Sequence, residues 1–375
     1  MRGQWVGTYT GSNSGRAIVD IDEVGRQFRG YAYMYDSNVG LPSTRADINV
    51  SVPAGNVLHA RLPLQPIDPV TGNATTWAAL AASYPPGIQF PKYADAQASW
   101  NAASLTVSWI TDIGTNGSMV LPVTQAGHPS ICNPEPTVTD WNGFKAFVDQ
   151  LEPDRYIFRG QENSSWRLRT SFHRTQRANL ERFLGEDIPQ LRKHLSARIS
   201  HVFDLGKPDE HGAFVSLVQH HGYPTPLLDW TRSAFIGAFF AYRKIRNPAA
   251  LNAESEKKVR IFVFDAQQWL QLPQVSKLAP AQPHVSLLDA LAIENTRMIP
   301  QQALSTIINV DDIESYIQYV EGIYSTRYLR VIDLPVRERP TVMNDLRQMG
   351  ITAGSMFPGL DGACEALREQ YFPLG

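Results

Sequence analysis

The hydrophobic pattern of this chain changes from a two-residue period to a helical period about a third of the way along. Before the change, short alternating runs are separated by Gly, Asn, Ser and Pro. After it, Phe144, Phe147 and Leu151 recur at helical spacing behind a candidate cap at Asp140. A period of two predicts strands, and a period near 3.6 predicts helices. At 375 residues the chain is also too long for one ordinary core, so two domains are expected.

Residues 1–125 are predicted to form an all-β domain, either a sandwich or an open barrel. Its aromatics, such as Trp5 and Tyr31, could line a ligand cleft, although aromatics in strands more often pack in a core. No motif assigns a chemical role here, and we interpret the domain as a recognition or regulatory module. Its predicted strands are Gln4–Tyr9, Arg16–Ile21, Gln27–Tyr35, Ile48–Val52, Val57–Leu62, Ser104–Ile110 and Gly117–Val123.

A linker is predicted over residues 126–138, because this stretch is rich in Pro, Gly and polar residues. Residues 139–375 then mix strands and helices without regular alternation, which is typical of an α+β domain. A long helix, interrupted near Gly185 and Pro189, is predicted over Gln176–Phe203. The predicted strands are Tyr156–Gln161, Leu227–Thr231, Val259–Asp265 and Leu329–Leu334.

Charge and hydropathy limit the partners of the chain. The formal net charge of −2 gives no global positive field, so nucleic acid would need a local basic patch. Residues 159–193 offer one, although the alternative is a set of solvated helix faces. No run approaches the roughly 20 apolar residues of a membrane helix, and the N-terminus lacks a signal-peptide pattern. We expect a cytoplasmic protein with no membrane partner.

Three blocks in the C-terminal part resemble the FRG domain family. Phe158–Gln161 (FRGQ) carries the step that names the family, and Gln219–Thr231 (QHHGYPTPLLDWT) is a long and unusual match. Gly350–Gly362 resembles the closing segment of the family, and Arg297 with Gln301 fits a later element. The resemblance covers roughly residues 139–367.

The order of these blocks is similar to that of ADP-ribosyltransferases. Arg159-Gly160 resembles their first motif, Trp230–Ser233 the second and Arg297–Gln302 the third, where Gln301 or Gln302 stands in the place usual for Glu. The resemblance implies an ADP-ribosyltransferase-like domain with NAD as substrate and no metal. It also implies a macromolecular acceptor, nucleic acid or protein, and a toxin or phage-defence role with a neutralising antitoxin as a candidate partner.

The resemblance implies four catalytic residues. Arg159 would grip phosphate or ribose hydroxyls, and His221 would act as a base. Asp229 would stabilise the positive charge that develops on the ribose. Gln301 would orient a ribose hydroxyl but cannot supply negative charge. The implied NAD-binding residues are Phe158, Gly160, Gln161, His220, Tyr223, Thr225, Trp230, Thr231 and Arg297.

Other interpretations of the same residues remain open. The domain could be a non-catalytic module that binds a nucleotide or a protein, or a hydrolase or nuclease that uses a His/Asp pair. Arg159 could form a structural ion pair with Asp229, and Trp230 could belong to the core. The histidines show no spacing typical of a metal site.

Overall fold

The N-terminal part of the chain is a closed antiparallel barrel of eight strands. A computed structural model describes residues 1–252, 257–274 and 282–372. Each barrel strand pairs with the next, and the first pairs with the last. The strands are β1 Gly3–Gly11, β2 Gly15–Val24, β3 Gln27–Asp36, β4 Thr44–Ser51, β5 Val57–Pro66, β6 Tyr93–Trp100, β7 Ser104–Thr111 and β8 Asn116–Pro122; helix α1, Trp77–Leu80, and a 3-10 turn, Ala81–Ser83, lie between β5 and β6.

The all-β prediction is confirmed, but the barrel is closed, so it is neither a sandwich nor an open barrel. The sequence pattern does not predict β6, because its buried positions carry the small residues Ala94 and Ala98 instead of large apolar ones. The interior is filled by side chains such as Trp5, Phe28 and Leu121. The aromatic Trp5 therefore packs in the core, as strand aromatics commonly do.

The C-terminal part is a mixed α/β region built on one six-stranded sheet. The strand order is β12-β13-β10-β9-β11-β14, and every paired neighbour is antiparallel. The strands are β9 Tyr156–Gln161, β10 Leu227–Thr231, β11 Lys258–Asp265, β12 Val285–Leu288, β13 Ala303–Ile308 and β14 Leu329–Pro335.

Helices cover both faces of this sheet. Successive residues of β11 point to opposite faces; Ile261 packs in the core on one side and Phe262 in the core on the other. The helices are α2 Trp141–Asp149, α3 Ser171–Arg174, α4 Leu180–Arg182, α5 Ile188–Leu195, α6 Pro208–His220, α7 Ala234–Tyr242, α8 Asn247–Leu251, α9 Ala266–Trp269, α10 Ile313–Tyr324, α11 Arg339–Gln348, α12 Ala353–Met356 and α13 Leu360–Tyr371, with a 3-10 turn at Val336–Glu338.

The long helix predicted over Gln176–Phe203 is shorter than expected. It begins at α4, passes through a π-helical segment, Phe183–Asp187, and ends with α5 at Leu195. Gly185 lies in the π segment, and Pro189 occupies the first turn of α5, where its missing N–H is tolerated. The stretch from Ser196 to the start of α6 contains no helix.

A charged contact, which we call the barrel junction, joins the barrel to α4 and its flanking residues. Asp22 of β2, whose side chain is only 1% exposed, pairs with Arg177 and Arg182 at 3.0 Å each. Its carboxylate also accepts the backbone N–H groups of Ala178 and Asn179 at 2.9 and 3.2 Å. The same contact contains the pairs Arg45–Glu181 at 2.9 Å and Arg29–Glu186 at 2.7 Å.

Candidate functional site

A cleft of about 1010 Å³ opens at the centre of the C-terminal sheet. Its size is at the upper end of the range for small-molecule sites. It is formed by the linker, strands β9 and β10, the segment from Glu162 to α3, and the ends of α6, α7 and α12. Its lining residues are Ala126, Gly127, His128, Pro129, Phe158, Arg159, Gly160, Gln161, Glu162, Ser165, Trp166, Arg167, Arg169, Arg174, Gln219, His220, Asp229, Trp230, Thr231, Phe240, Arg243, Lys244, Arg297, Gln301, Ala303 and Phe357.

The Phe158-Arg159-Gly160 step supplies the frame of the cleft. Phe158 is buried in the core beneath α7, while the next side chain, Arg159, lines the cleft. Helix α7 crosses so close to Gly160 that a Cβ there would lie 2.0 Å from the carbonyl oxygen of Gly237. Gly160 is therefore needed for packing of a helix on a strand, and Arg159 is the residue of the step whose polar group is offered to the cleft.

The cleft carries an excess of positive charge. Three of its arginines have carboxylate partners: Arg167 with Asp312, Arg169 with Asp311 and Arg243 with Glu365. Within the described ranges, four further cationic residues of the lining form no ion pair. They are Arg159, Arg174, Lys244 and Arg297.

Burial lowers the pKa values of two of these arginines. Burial lowers the pKa of Arg159 to about 10, against the opposing charge of Asp229. Burial also lowers the pKa of Arg174, and the nearby charge of Arg169 acts in the same direction. Both arginines remain protonated at neutral pH, so the cleft favours a bound anion.

Three buried polar atoms of the lining have no hydrogen-bond partner among the residues that the structure describes. They are Nε of Arg159, Oε1 of Gln161 and Nε2 of His220. Buried polar atoms almost always find partners, because leaving one unpaired costs about 1–3 kcal/mol. Their concentration in one cleft with unpaired cations indicates a site built for a polar, anionic ligand.

Asp229 is held by neutral groups. Its carboxylate accepts hydrogen bonds from the side-chain amide of Gln219 and from Oγ of Ser305 at 3.2 Å. Arg159 donates to the backbone carbonyl of Asp229 at 2.7 Å. The ion pair considered between Arg159 and the Asp229 carboxylate is therefore replaced by a hydrogen bond to the main chain. Gln219 is in turn contacted by Thr225, which is fully buried behind the cleft.

The structure places His220, and not His221, in the cleft. His221 lies just past the end of α6, where its N–H bonds to the carbonyl of Leu217, and its side chain is exposed outside the lining. His220 lines the cleft, and burial lowers its pKa, while the charge of Asp229 opposes the shift. A neutral imidazole at neutral pH can accept a proton. The catalytic role assigned to His221 from the sequence therefore suits His220 better.

Two residues implied in NAD binding have structural contacts. Trp230 is 4% exposed, stacks on Phe264 with a centroid distance of 5.5 Å, and donates to Thr306 at 3.1 Å. Tyr223 lies outside the lining and donates its hydroxyl to Asp187 at 2.9 Å. Trp230 therefore offers little ring surface to the cleft, and Tyr223 is not part of its wall.

The third motif contributes a cation and structural ties. Gln301 donates its side-chain amide to the backbone carbonyl of Met356 at 2.8 Å. The backbone carbonyl of Gln301 accepts the hydroxyl of Thr231 at 2.8 Å. The guanidinium of Arg297 lies 5.4 Å from the ring centre of Phe357 at the cleft wall. The side chain expected in place of the usual Glu is thus engaged with the main chain.

The basic segment 159–193 does not form one surface. Arg159, Arg167, Arg169 and Arg174 line the cleft, whereas Arg177 and Arg182 belong to the barrel junction. Arg192 donates to the carbonyl of Phe203. Nucleic acid would therefore meet the N-terminal half of this segment.

Sequence reasoning missed Trp166, Lys244 and the linker as parts of the site. Residues 126–129 line the cleft, so part of the predicted linker forms its wall. Trp166 had a visible signal, since it lies beside the arginines of a basic run, but nothing local shows that the run folds against β9. Lys244 follows the apolar helix α7 and carries no signal of its own.

The described residues contain neither a group of potential metal ligands nor a helix that could span a membrane. Within residues 1–252, 257–274 and 282–372, no three His, Cys, Asp or Glu side chains are grouped so that they could hold a metal ion. Over the same ranges, no helix combines the length and the apolar character needed to cross a bilayer.

Comparison with known proteins supports the family resemblance for one segment of the chain. Residues 154–250 match the model of the FRG domain, as the blocks Phe158–Gln161 and Gln219–Thr231 predict. No curated protein matches the chain. A solved structure of a redesigned β-barrel, mFAP1, bound to DFHBI, is 14% identical, covering 32% of this chain and 93% of its own, with a TM-score of 0.23. A likeness this weak carries no argument.

Proposed function

We propose that the cleft binds the diphosphate of NAD and that the chain transfers ADP-ribose to a macromolecule. The observation that carries this proposal is the meeting of unpaired cations and unpartnered buried polar atoms in one cleft. Arg159 contributes to both sets, Gln161 and His220 to the second. A diphosphate with neighbouring ribose hydroxyls would satisfy the charge and the hydrogen bonds together.

The transfer would proceed by exchange of one bond at the ribose C1′ atom. The glycosidic bond breaks, and neutral nicotinamide leaves with the bonding electron pair. A nucleophilic atom of the acceptor donates a lone pair to C1′, and its proton passes to Nε2 of His220. The carboxylate of Asp229 stabilises the positive charge on the ribose while the bonds exchange. Arg159 holds a phosphate as an oriented fork.

A second candidate is a module that binds a nucleotide without catalysis. The third motif favours it, because Gln301 carries no carboxylate and its amide is engaged with the carbonyl of Met356. Asp229 and Glu162 are the carboxylates of the lining. If neither acts on the ribose, the same cleft would bind ADP-ribose or NAD and leave it intact.

The test uses the full chain and measures binding and turnover separately. Isothermal titration calorimetry with ADP-ribose and NAD gives affinities for the wild type, Arg159→Ala and the control Arg61→Ala. Arg61 lies in the barrel and pairs with Asp95 at the surface, so its loss should leave binding unchanged. Labelled NAD is then incubated with protein alone and with RNA, DNA or lysate protein, and nicotinamide release and label transfer are followed.

The outcomes separate the candidates. Binding with nicotinamide release and label transfer, all lost in Arg159→Ala at an unchanged melting temperature, supports the transferase. Binding without release in any arm moves the conclusion to the nucleotide-binding module. Absence of binding by a folded wild type contradicts both. Asp229→Asn is expected to bind ADP-ribose with similar affinity and to lose nicotinamide release.

A further inference from the structure

Trp166 differs from every other tryptophan of the chain. Its side chain is 49% exposed, and within the described residues it makes no ring contact or side-chain hydrogen bond. An indole that stays half exposed and unpartnered leaves much of its hydrophobic stabilisation unused. Each of the other seven contacts an aromatic ring or donates a hydrogen bond: Trp5, Trp77, Trp100, Trp109, Trp141, Trp230 and Trp269.

The backbone that carries Trp166 is anchored on both sides. Before it, Oδ1 of Asn163 accepts the N–H and the hydroxyl of Ser165 at 2.9 and 2.8 Å, and the N–H of Trp166 donates to the Asn163 carbonyl at 3.2 Å. After it, Arg167 makes two hydrogen bonds of 2.8 Å to the carboxylate of Asp312. The backbone that carries the exposed ring is therefore held in place.

Trp166 also lines the cleft that holds the unpaired cations Arg159, Arg174 and Arg297. An exposed aromatic face on an anchored backbone, beside arginines that form no ion pair with a described residue, suits a ligand that has a flat ring and phosphates. We propose that Trp166 is the stacking platform for a purine base of the nucleotide held in the cleft. This inference rests on the proposed function, because it assigns the base of a ligand whose phosphates the cations bind.

The base could belong to either of two molecules in the reaction. One is the adenine of NAD, and the other is a purine in a single-stranded nucleic-acid acceptor. Stacking on an aromatic ring is tolerant of both, since every base has a π face. The chemistry is shared, so the experiment must tell the two sources apart.

The experiment compares the wild type, Trp166→Ala, Trp166→Phe and the control Phe372→Ala. Phe372 is 66% exposed and lies outside the lining. Affinities are measured by calorimetry for inorganic pyrophosphate, for ADP-ribose and for a short purine-rich single-stranded oligonucleotide. Trp166 has an exposed side chain, so the iodide-quenched fluorescence that Trp166→Phe removes gives an independent readout of whether the ring is covered.

We expect Trp166→Ala to lower affinity for a base-containing ligand about tenfold or more and to leave pyrophosphate affinity unchanged. Trp166→Phe should retain most of the affinity, and the base-containing ligand should protect the wild type from iodide. A loss confined to ADP-ribose assigns the base to NAD, and a loss confined to the oligonucleotide assigns it to the acceptor.

Three results would overturn the inference. Equal losses for pyrophosphate and ADP-ribose in Trp166→Ala would show a structural role instead. Unchanged affinity for both base-containing ligands would reject the platform while the proposed function stands. If the wild type binds pyrophosphate, ADP-ribose and the oligonucleotide in no case, the proposed function and the platform both fail.

Discussion

The barrel junction and the cleft contain arginines from the same stretch of chain, but these arginines differ in whether they pair with a carboxylate. At the junction, Arg177 and Arg182 both pair with the buried carboxylate of Asp22. In the cleft, Arg174, only three residues before Arg177, forms no ion pair with a described residue. Arg159 of β9 also forms no ion pair with a described residue, and it donates to the backbone carbonyl of Asp229.

Arginines that pair with a carboxylate of the chain stabilise the fold, whereas arginines without such a pair are available to a ligand. Buried charges need partners, and the junction supplies them from within the chain. Cations that remain without a carboxylate in a cleft gain little for stability, so they mark a candidate binding site. The barrel is therefore joined to the region that carries the cleft. Asp311, which pairs with Arg169, also donates its backbone N–H to Oε1 of Gln4 of β1 at 2.8 Å.

The largest effect on this comparison is expected from Asp22→Ala. The change removes the partner of two arginines and leaves two backbone N–H groups without an acceptor. We expect the free energy of unfolding to fall by about 3–5 kcal/mol, measured by urea denaturation. The control Asp95→Ala breaks an exposed ion pair with Arg61 and should change little. Equal effects of the two changes would contradict the distinction.

The second effect concerns the frame of the cleft. Gly160→Ala places a methyl group 2.0 Å from the carbonyl oxygen of Gly237, so α7 must move away from β9. We expect a loss of about 1–3 kcal/mol in the free energy of unfolding, with weaker ADP-ribose binding. Gly55→Ala, in a barrel turn with open space around the Cβ position, serves as the control. A fully stable Gly160→Ala variant would show that the close approach is not required.

The third effect should be visible in binding and nearly absent in stability. Arg174→Gln removes a cation that lacks a carboxylate partner, so the free energy of unfolding should change by less than about 0.5 kcal/mol. ADP-ribose affinity should fall roughly tenfold, the scale of one hydrogen bond to a charged group. Calorimetry and thermal melting test the two parts. Loss of stability with intact binding would place Arg174 among the structural arginines.

The smallest effects are opposite responses to pH. Burial lowers the pKa of His173 from 6.5 to about 4. Between these values the unfolded chain takes up a proton that the folded chain does not, so stability falls as the pH drops. Burial raises the pKa of Asp20 from 3.8 to about 8, although a hydrogen bond from Gln4 lowers it. Between pH about 3.8 and 8, the folded chain retains a proton on Asp20 that the unfolded chain releases, so stability falls as the pH rises.

Urea denaturation over a pH series tests both signs. His173→Gln should flatten the dependence between pH about 4 and 6.5, and Asp20→Asn should flatten it between about 3.8 and 8. Each variant acts as the control for the other, because the two groups change stability with opposite sign, and only the Asp20 window extends above pH about 6.5. An unchanged slope at alkaline pH in Asp20→Asn would contradict the assignment for that carboxyl group.

The sequence by itself determined the elements that depend on local pattern. Alternation gave seven of the eight barrel strands, and the apolar run of β11 and the Phe158-Arg159-Gly160 step identified the central strands. These features are readable because a strand or helix exposes its faces with a fixed period. The family match over residues 154–250 confirms the FRG blocks at Phe158–Gln161 and Gln219–Thr231, whereas the segments at Arg297–Gln302 and Gly350–Gly362 lie beyond it and stay predictions. The proposed division at residues 126–138 stays a prediction.

Only the tertiary structure decided which charges are matched and which side chains meet. Arg167 pairs with Asp312, which lies 145 residues further along the chain. No local pattern distinguishes it from Arg174, which forms no ion pair with a described residue. Barrel closure, the linker as a cleft wall and the choice of His220 over His221 depend in the same way on distant packing. Periodicity reports the face on which a residue lies, whereas the partner on that face is fixed by the long-range fold.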